Sequence, residues 1–266
     1  MCYNLLLAMK KYFLILPVLF ILSVLSVVFY YRFDPALLTK LSFYVNLANP
    51  YMRIVRVQEG LRKEEVAEVM VGKLDWDEKD KKDFISNAKV EGHYFPKTYL
   101  IYKDEEPSTV VATMTKEFSK QLSKVKKPKS KQIVNEDTAI KIASIIQREA
   151  DGKNDMALIS GIIWNRIFSG MKLQIDATLQ YAKGSEEEGW WEEVIPADKK
   201  IKSSYNTYLH EGLPPGAIAS PGFNAIYAAY NPQKTDCLFY LHDKKRKIHC
   251  TKTYEEHRKN IEIYLK

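Results

Sequence analysis

One carboxylate stands where a soluble helix would not place it. In the stretch TAIKIASIIQREA, residues 138–150, Ile142, Ile145, Ile146 and Glu149 fall at i, i+3, i+4 and i+7 and share one helical face. That stripe faces a core, so Glu149 is set among apolar neighbours in the last turn of its helix. Burial disfavours its charged form, and the negative end of the helix dipole does the same. A carboxyl group that keeps its proton near neutrality is a general acid, suited to protonating a leaving oxygen such as that of a glycosidic bond. The structural alternative is that Arg148 or Lys141 neutralises Glu149 at the rim of the core, since stripe edges often carry charged residues. Competing catalytic layouts do not occur: there is no G-x-S-x-G elbow, no H-E-x-x-H, no Walker loop and no G-x-G-x-x-G. His93, His210, His242, His249 and His257 stand at spacings that match no common zinc site, so neither a metal nor a cofactor is expected.

Further polar groups follow the helix. In LQIDATLQY, Gln174, Asp176 and Thr178 alternate with Leu173, Ile175 and Ala177, and an extended chain would turn the three polar side chains to one face. GLPPGAIASPG, residues 212–222, contains Pro214 and Pro215 and is too rich in Pro and Gly for a helix or strand interior, so it reads as a rigid shaped loop. Cys237 and Cys250 bracket a hairpin, CLFYLHDKKRKIHC, whose symmetric turn would set them opposite each other. Either they form a cross-strand disulfide or, the reading preferred here, they are two half-buried free thiols.

The elements that must position these groups describe an α+β protein. The helix ending at Glu149 has Asn135 or Asp137 as its N-cap and Gly152 just beyond its end. A second helix is expected over 155–168, carrying Leu158, Ile159, Ile162, Ile163 and Ile167. Upstream, RIVRVQEG reads as a strand and turn, LRKEEVAEVM as a helix, and residues 77–87 and 109–122 as two more. The basic run Lys124–Lys131 holds a proline and no apolar periodicity and reads as a solvated linker. Residues 184–200 look like a surface insertion rich in Glu, Lys and Trp. A short helix at 224–230, the hairpin and a final helix from about Tyr254 complete the chain.

At the other end, Tyr12–Tyr31 is a run of 20 residues without a charge, and a bilayer crossing needs roughly 20. Lys10, Lys11 and Arg32 flank it and tyrosines stand at both ends, as at membrane interfaces. The run is too long for a signal-peptide core and lacks an A-x-A-like cleavage site. The expected plan is a cytosolic tail (1–11), a single transmembrane helix (12–31), a tether (32–52), a small α+β module with its connecting segment (53–130) and a mixed helix and strand domain (131–266). The positive-inside rule places everything after the helix outside the cytoplasm. The net charge of +7 among 266 residues selects no partner by itself. No basic stretch interleaves with aromatics, so nucleic acid is not an expected ligand.

Five strings in order resemble those of the endolytic murein transglycosylase, or YceG-like, family: EGHYFPKTY (91–99), ASIIQREA (143–150), NRIFSGMKLQIDATLQY (165–181), YNTYLHEGLPPGAIASPG (205–222) and TKTYEEH (251–257). The resemblance places the family's catalytic glutamate on Glu149, with Gln147 where the family carries another glutamate. It implies a membrane-embedded enzyme that cuts peptidoglycan glycan strands without water. Glu149 would protonate the oxygen between N-acetylmuramic acid and N-acetylglucosamine, then accept the proton of the muramoyl C6 hydroxyl as it closes a 1,6-anhydro ring. It further implies a LysM-like module over 53–90 and partnership with peptidoglycan synthases or division proteins. Gln174, Asp176 and Thr178 would hold sugar groups, and Glu91, Tyr94, Tyr99, Tyr205, Asn206, Pro214 and Pro215 would shape the groove. Trp190 and Trp191 either stack on sugars or, the preferred reading, pack their own loop. Ala177 replaces a family proline, Lys97 replaces an aspartate, and a family histidine aligns with Ile248, one place from His249. Two other readings remain open, a membrane-anchored hydrolytic muramidase and a non-catalytic peptidoglycan-binding division scaffold.

Overall fold

The computed structural model describes residues 17–27, 29–30, 35–127 and 134–266. The chain divides into two units, Met1–Met52 and Arg53–Lys266.

In the first unit, residues 17–27 and 29–30 are helical and their apolar side chains are exposed, from Val18 to Val27 and at Phe29 and Tyr30. No helix among the described residues is long and apolar enough to cross a membrane. The expected span also includes residues 12–16, 28 and 31, and with the expected tail 1–11 these lie outside the described residues. Within the stretch expected to be a tether, α1 occupies Pro35–Leu47. Proline suits the first helical position because its missing N–H has no intrahelical partner there, and the segment contains no glycine.

The second unit opens with β1 (Met52–Arg56), α2 (Lys63–Val71), α3 (Glu78–Asn87) and β2 (Thr98–Tyr102), the two strands forming one sheet. Asp77 caps α3 by accepting from the Lys79 and Asp80 amides, which satisfies donors a helix start leaves open. α4 (Pro107–Leu122) follows, and part of the expected basic linker, 128–131, lies outside the described residues. Val55, Val66, Met70, Phe84, Tyr94 and Met114 form a hydrophobic cluster here. Gly92 turns the chain out of it at φ +84, and a Cβ at that point would meet Ala217, so the turn requires glycine twice over.

A second cluster surrounds α5 (Glu136–Glu149), which packs against α6 (Lys153–Phe168), α7 (Asp176–Lys183) and α8 (Phe223–Tyr230). Asn135 caps α5, its Oδ1 accepting from the Thr138 amide at 2.7 Å. Ile140, Ile142, Ile145 and Ile146 are buried, and truncating any one to alanine costs about 2–5 kcal/mol. Ser144 is fully buried, and its hydroxyl accepts from the Ile218 amide at 3.0 Å. The expected extended segment at 173–181 is overturned, because Asp176–Lys183 is the helix α7. Short apolar runs fit either period, and here the fold decides: the Gln174 and Ile175 amides donate to Thr207, and the Thr178 hydroxyl closes the first turn onto the Ile175 carbonyl at 2.7 Å.

The chain ends in the antiparallel hairpin β3 (Phe239–His242) and β4 (Ile248–Thr251), then α9 (Tyr254–Tyr264). Tyr240, not Cys237, stands opposite Cys250. The two cysteines are nonetheless joined in a disulfide across a Cα–Cα distance of 5.8 Å, so the free-thiol reading is corrected: the chain just ahead of β3 bends Cys237 within reach of β4.

Candidate active site

Three elements converge on Glu149. α5 ends on it, the first turn of α7 faces it, and β3 brings the Tyr240 hydroxyl to donate to Glu149 Oε2 at 2.7 Å. Burial pushes the Glu149 pKa up, and the charge of Asp176 adds to the rise. The Tyr240 hydrogen bond, the Ala177 backbone amide and His242 oppose it without reversing it. The cation that would have made Glu149 structural lies elsewhere. Arg148 stacks over the Trp191 ring at 3.7 Å and Lys141 pairs with Asp137 at 2.6 Å. Among the described residues no salt bridge to Glu149 occurs. The carboxyl group thus has a raised pKa and a hydrogen-bonded orientation, and its residue is half-buried.

The surroundings hold that orientation. Asp176 is exposed at the start of α7 and accepts from the Tyr208 hydroxyl at 2.6 Å. Arg166, on α6, donates from Nε to the Leu238 carbonyl at 2.6 Å and from a terminal nitrogen to the Leu173 carbonyl. One half-buried guanidinium therefore ties the approach to α7 to the start of the hairpin. Asn165 does the same for the Thr235 and Cys237 carbonyls, at 2.8 and 3.0 Å. His242 meets Asp155 at 3.1 Å. Gln147 accepts from the Gly222 amide at 3.0 Å and, with Ser144, fastens the 212–222 loop along α5. Where the resemblance sets a second glutamate, this chain has a loop anchor.

The expected groove residues do not form one wall. Tyr94 and Tyr99 lie in the first hydrophobic cluster, the hydroxyl of one accepting from the Val90 amide at 3.1 Å and that of the other donating to the Phe95 carbonyl. Thr178 is fully buried and its hydroxyl also bonds that of Thr207 at 2.9 Å. Asn206 is fully buried too, spanning the Ile201 carbonyl at 2.8 Å and the Tyr208 amide at 2.9 Å. These four brace the scaffold because each polar atom has a protein partner. Pro214 is buried. Gln174, at φ +51, and Asp176 remain on the surface. Glu91, Tyr205 and Pro215 belong to a separate cavity of about 360 Å³. Trp190 and Trp191 pack on the protein, their indole N–H groups donating to Glu68 at 3.2 Å and Glu65 at 2.8 Å.

Sequence reasoning did not single out Tyr240, Tyr208, Arg166 or His242. Tyr208 and Arg166 lie inside the quoted motifs. Tyr240 carries no local signal, because its partner is 91 residues away in sequence.

A carboxyl group whose pKa burial raises, hydrogen-bonded by a half-buried tyrosine on an α+β frame, is a candidate site for general acid/base chemistry. The YceG-like family model matches residues 30–263, so the chain belongs to the YceG-like family. It is 35% identical over 186 residues to the endolytic murein transglycosylase of Bacillus subtilis, covering 68% of this chain and 50% of that protein. It is 32% identical over 184 residues to that of Streptococcus pneumoniae D39, covering 68% of this chain and 33% of that one. The chain thus aligns with about half, or less, of these curated relatives. The crystal structure of a yceG-like protein from Listeria monocytogenes superposes with a TM-score of 0.65 at 26% identity, covering 77% of this chain and 75% of that one.

Proposed function

We propose that this chain cleaves the glycan strands of peptidoglycan as a lytic transglycosylase, with Glu149 as both acid and base. The observation that carries the reading is the raised pKa of Glu149 in a site where Tyr240 fixes the carboxyl orientation. The curated relatives named as endolytic murein transglycosylases supply the substrate class. In the first step the Glu149 proton passes to the oxygen leaving C1 of N-acetylmuramic acid, and the C1–O bond breaks. In the second the Glu149 carboxylate takes the proton of the C6 hydroxyl while O6 bonds to C1. The product end is a 1,6-anhydro sugar and no water is consumed, so one carboxyl group serves where hydrolytic glycosidases use two. Asp176 and Gln174, exposed beside the acid, hold sugar hydroxyl and acetamido groups in this reading. Residues 53–90 act as a LysM-like contact to the wall, the 12–31 segment anchors the chain in the cell membrane with residues beyond it outside, and peptidoglycan synthases are its partners.

Purified peptidoglycan incubated with the full chain is expected to release anhydro-muropeptides detectable by mass spectrometry. Glu149→Gln keeps the shape and loses the proton, and product formation is expected to fall by about 10²–10⁴-fold. Reducing ends in place of anhydro ends would replace the lytic reading with hydrolysis. Retained wall binding with no product from nascent or mature strands would leave a scaffold. Carbonate extraction of expressing cells reads the anchor: the chain is expected in the membrane pellet, and in the supernatant if residues 12–31 are deleted.

A further inference from the structure

The cavity that contains Glu91 lies apart from Glu149, and the reaction does not use it. It is lined by Lys63, Lys89 and Lys141 together with Glu91, Tyr181 and Tyr205. α5 runs from one site to the other. Lys141 precedes Glu149 by eight residues, which is about 12 Å of helix and a rotation of about 80°. α7 does the same over a shorter path, with Ala177 at the acid and Tyr181 at the cavity. Both helices thus span from the acid to the cavity.

The lining chemistry does not suit a sugar ring. Sugars are held by open aromatic faces and by neutral hydrogen-bonding groups. Here the rings of Tyr181 and Tyr205 lie 4.8 Å apart and the Arg62 guanidinium covers Tyr181 at 4.3 Å, so those faces are occupied. What remains is hydroxyl and ammonium. Glu91 spends its carboxylate oxygens on the Lys63 and Gly92 amides, at 3.2 and 3.1 Å, and burial raises its pKa to about 7, so near neutrality it carries only part of a charge. Asp137 is held by Lys141. The lining keeps an excess of cation and fits an anion, and a volume of about 360 Å³ is at the small end of ligand sites.

We propose that this cavity binds the carboxylates of the peptide stem borne by the muramic acid at the cleavage site. The proposal rests on the lytic reading above. The stem branches from the sugar that Glu149 attacks, and three to four extended residues span about 12 Å. That length delivers the distal carboxylates of the stem to Lys63 and Lys89 while the glycan stays at the acid. The cavity thereby selects strands that still carry their peptides.

The test compares the full chain with its Lys63→Gln/Lys89→Gln variant on stem-bearing strands and on the same strands stripped by an amidase. The variant is expected to show a KM roughly tenfold higher on stem-bearing strands, the equivalent of about 1.4 kcal/mol. Its kcat, and its activity on stripped strands, should match those of the parent chain. A change equal on both substrates, or absent on both, overturns the proposal and leaves the lytic reading standing. Binding of the free pentapeptide L-Ala-γ-D-Glu-L-Lys-D-Ala-D-Ala, followed by calorimetry, is independent of catalysis. Saturable binding lost in the variant is expected even if no lytic product forms, and no binding to either protein overturns the proposal.

Discussion

At Glu149 the contest between burial and hydrogen bonding sets the working pH. Burial raises the pKa and Tyr240 pulls it back, so removing the tyrosine hydroxyl should let it rise further. Tyr240→Phe is expected to shift the alkaline limb of the pH–rate profile upward, because the acid form persists to higher pH. It should also cost roughly tenfold in kcat, since a hydrogen bond to a charged group contributes about 1.5–3 kcal/mol. An unmoved limb would mean that the bond orients nothing. Glu91 gives the stability counterpart. Its folded pKa of about 7 exceeds the ordinary 4.5, with burial as the main cause, so between those values the folded state binds more protons than the unfolded one. Stability from this group is full below pH 4.5 and is lost as pH rises through 7. Denaturant titrations across that window should show a decline on the order of 1–3 kcal/mol, flattened in Glu91→Gln.

The hairpin is the element that makes Glu149 a defined site, and it is held from outside itself. Asn165 and Arg166 grip the segment just ahead of β3 by backbone carbonyls, and the Cys237–Cys250 disulfide closes it. With a sequence separation of 13, the disulfide is expected to contribute about 3 kcal/mol by restricting the unfolded chain. Cys237→Ser/Cys250→Ser should lower the thermal midpoint by a matching amount, and an unchanged midpoint would show that Arg166 and Asn165 suffice. Gly161 sits where α6 meets the strand's approach, and a Cβ there would collide with the Gln233 carbonyl. Backbone cannot rotate away as a side chain can, so Gly161→Ala should destabilise by about 1–3 kcal/mol and reduce activity by displacing Tyr240.

Over the whole second unit, two hydrophobic clusters are joined by polar and aromatic contacts. Trp191 links α2 to α5 through Glu65 and Arg148. Trp190 links the same loop to α2 through Glu68 and Arg62. Each indole thus has a guanidinium over one of its faces, which packs both tryptophans onto the protein. Trp191→Ala removes a hydrogen bond and a cation–π contact, and a loss of about 2–3 kcal/mol follows. Differential hydrogen exchange should show the loss concentrated in α2 and residues 184–200.

The sequence by itself determined the helix that carries Glu149 and most of the elements upstream of it. The isoleucine stripe with Glu149 in its last turn, the Asn135 cap and the alternation of strand and helix upstream all depend on neighbours within a few residues. Periodicity and capping report such local order directly. Tertiary structure alone decided the rest. Leu173–Tyr181 satisfies the strand period as well as the helical one, and only the Thr207 contacts, some thirty residues downstream, make Asp176–Lys183 a helix. Thr178 and Asn206 look like surface ligands until the loop buries them. Tyr240 reaches Glu149, and Glu91 is separated from it, through packing between segments distant in the chain. A side chain's partner across such distances is fixed by how whole elements dock, which no short window of residues encodes.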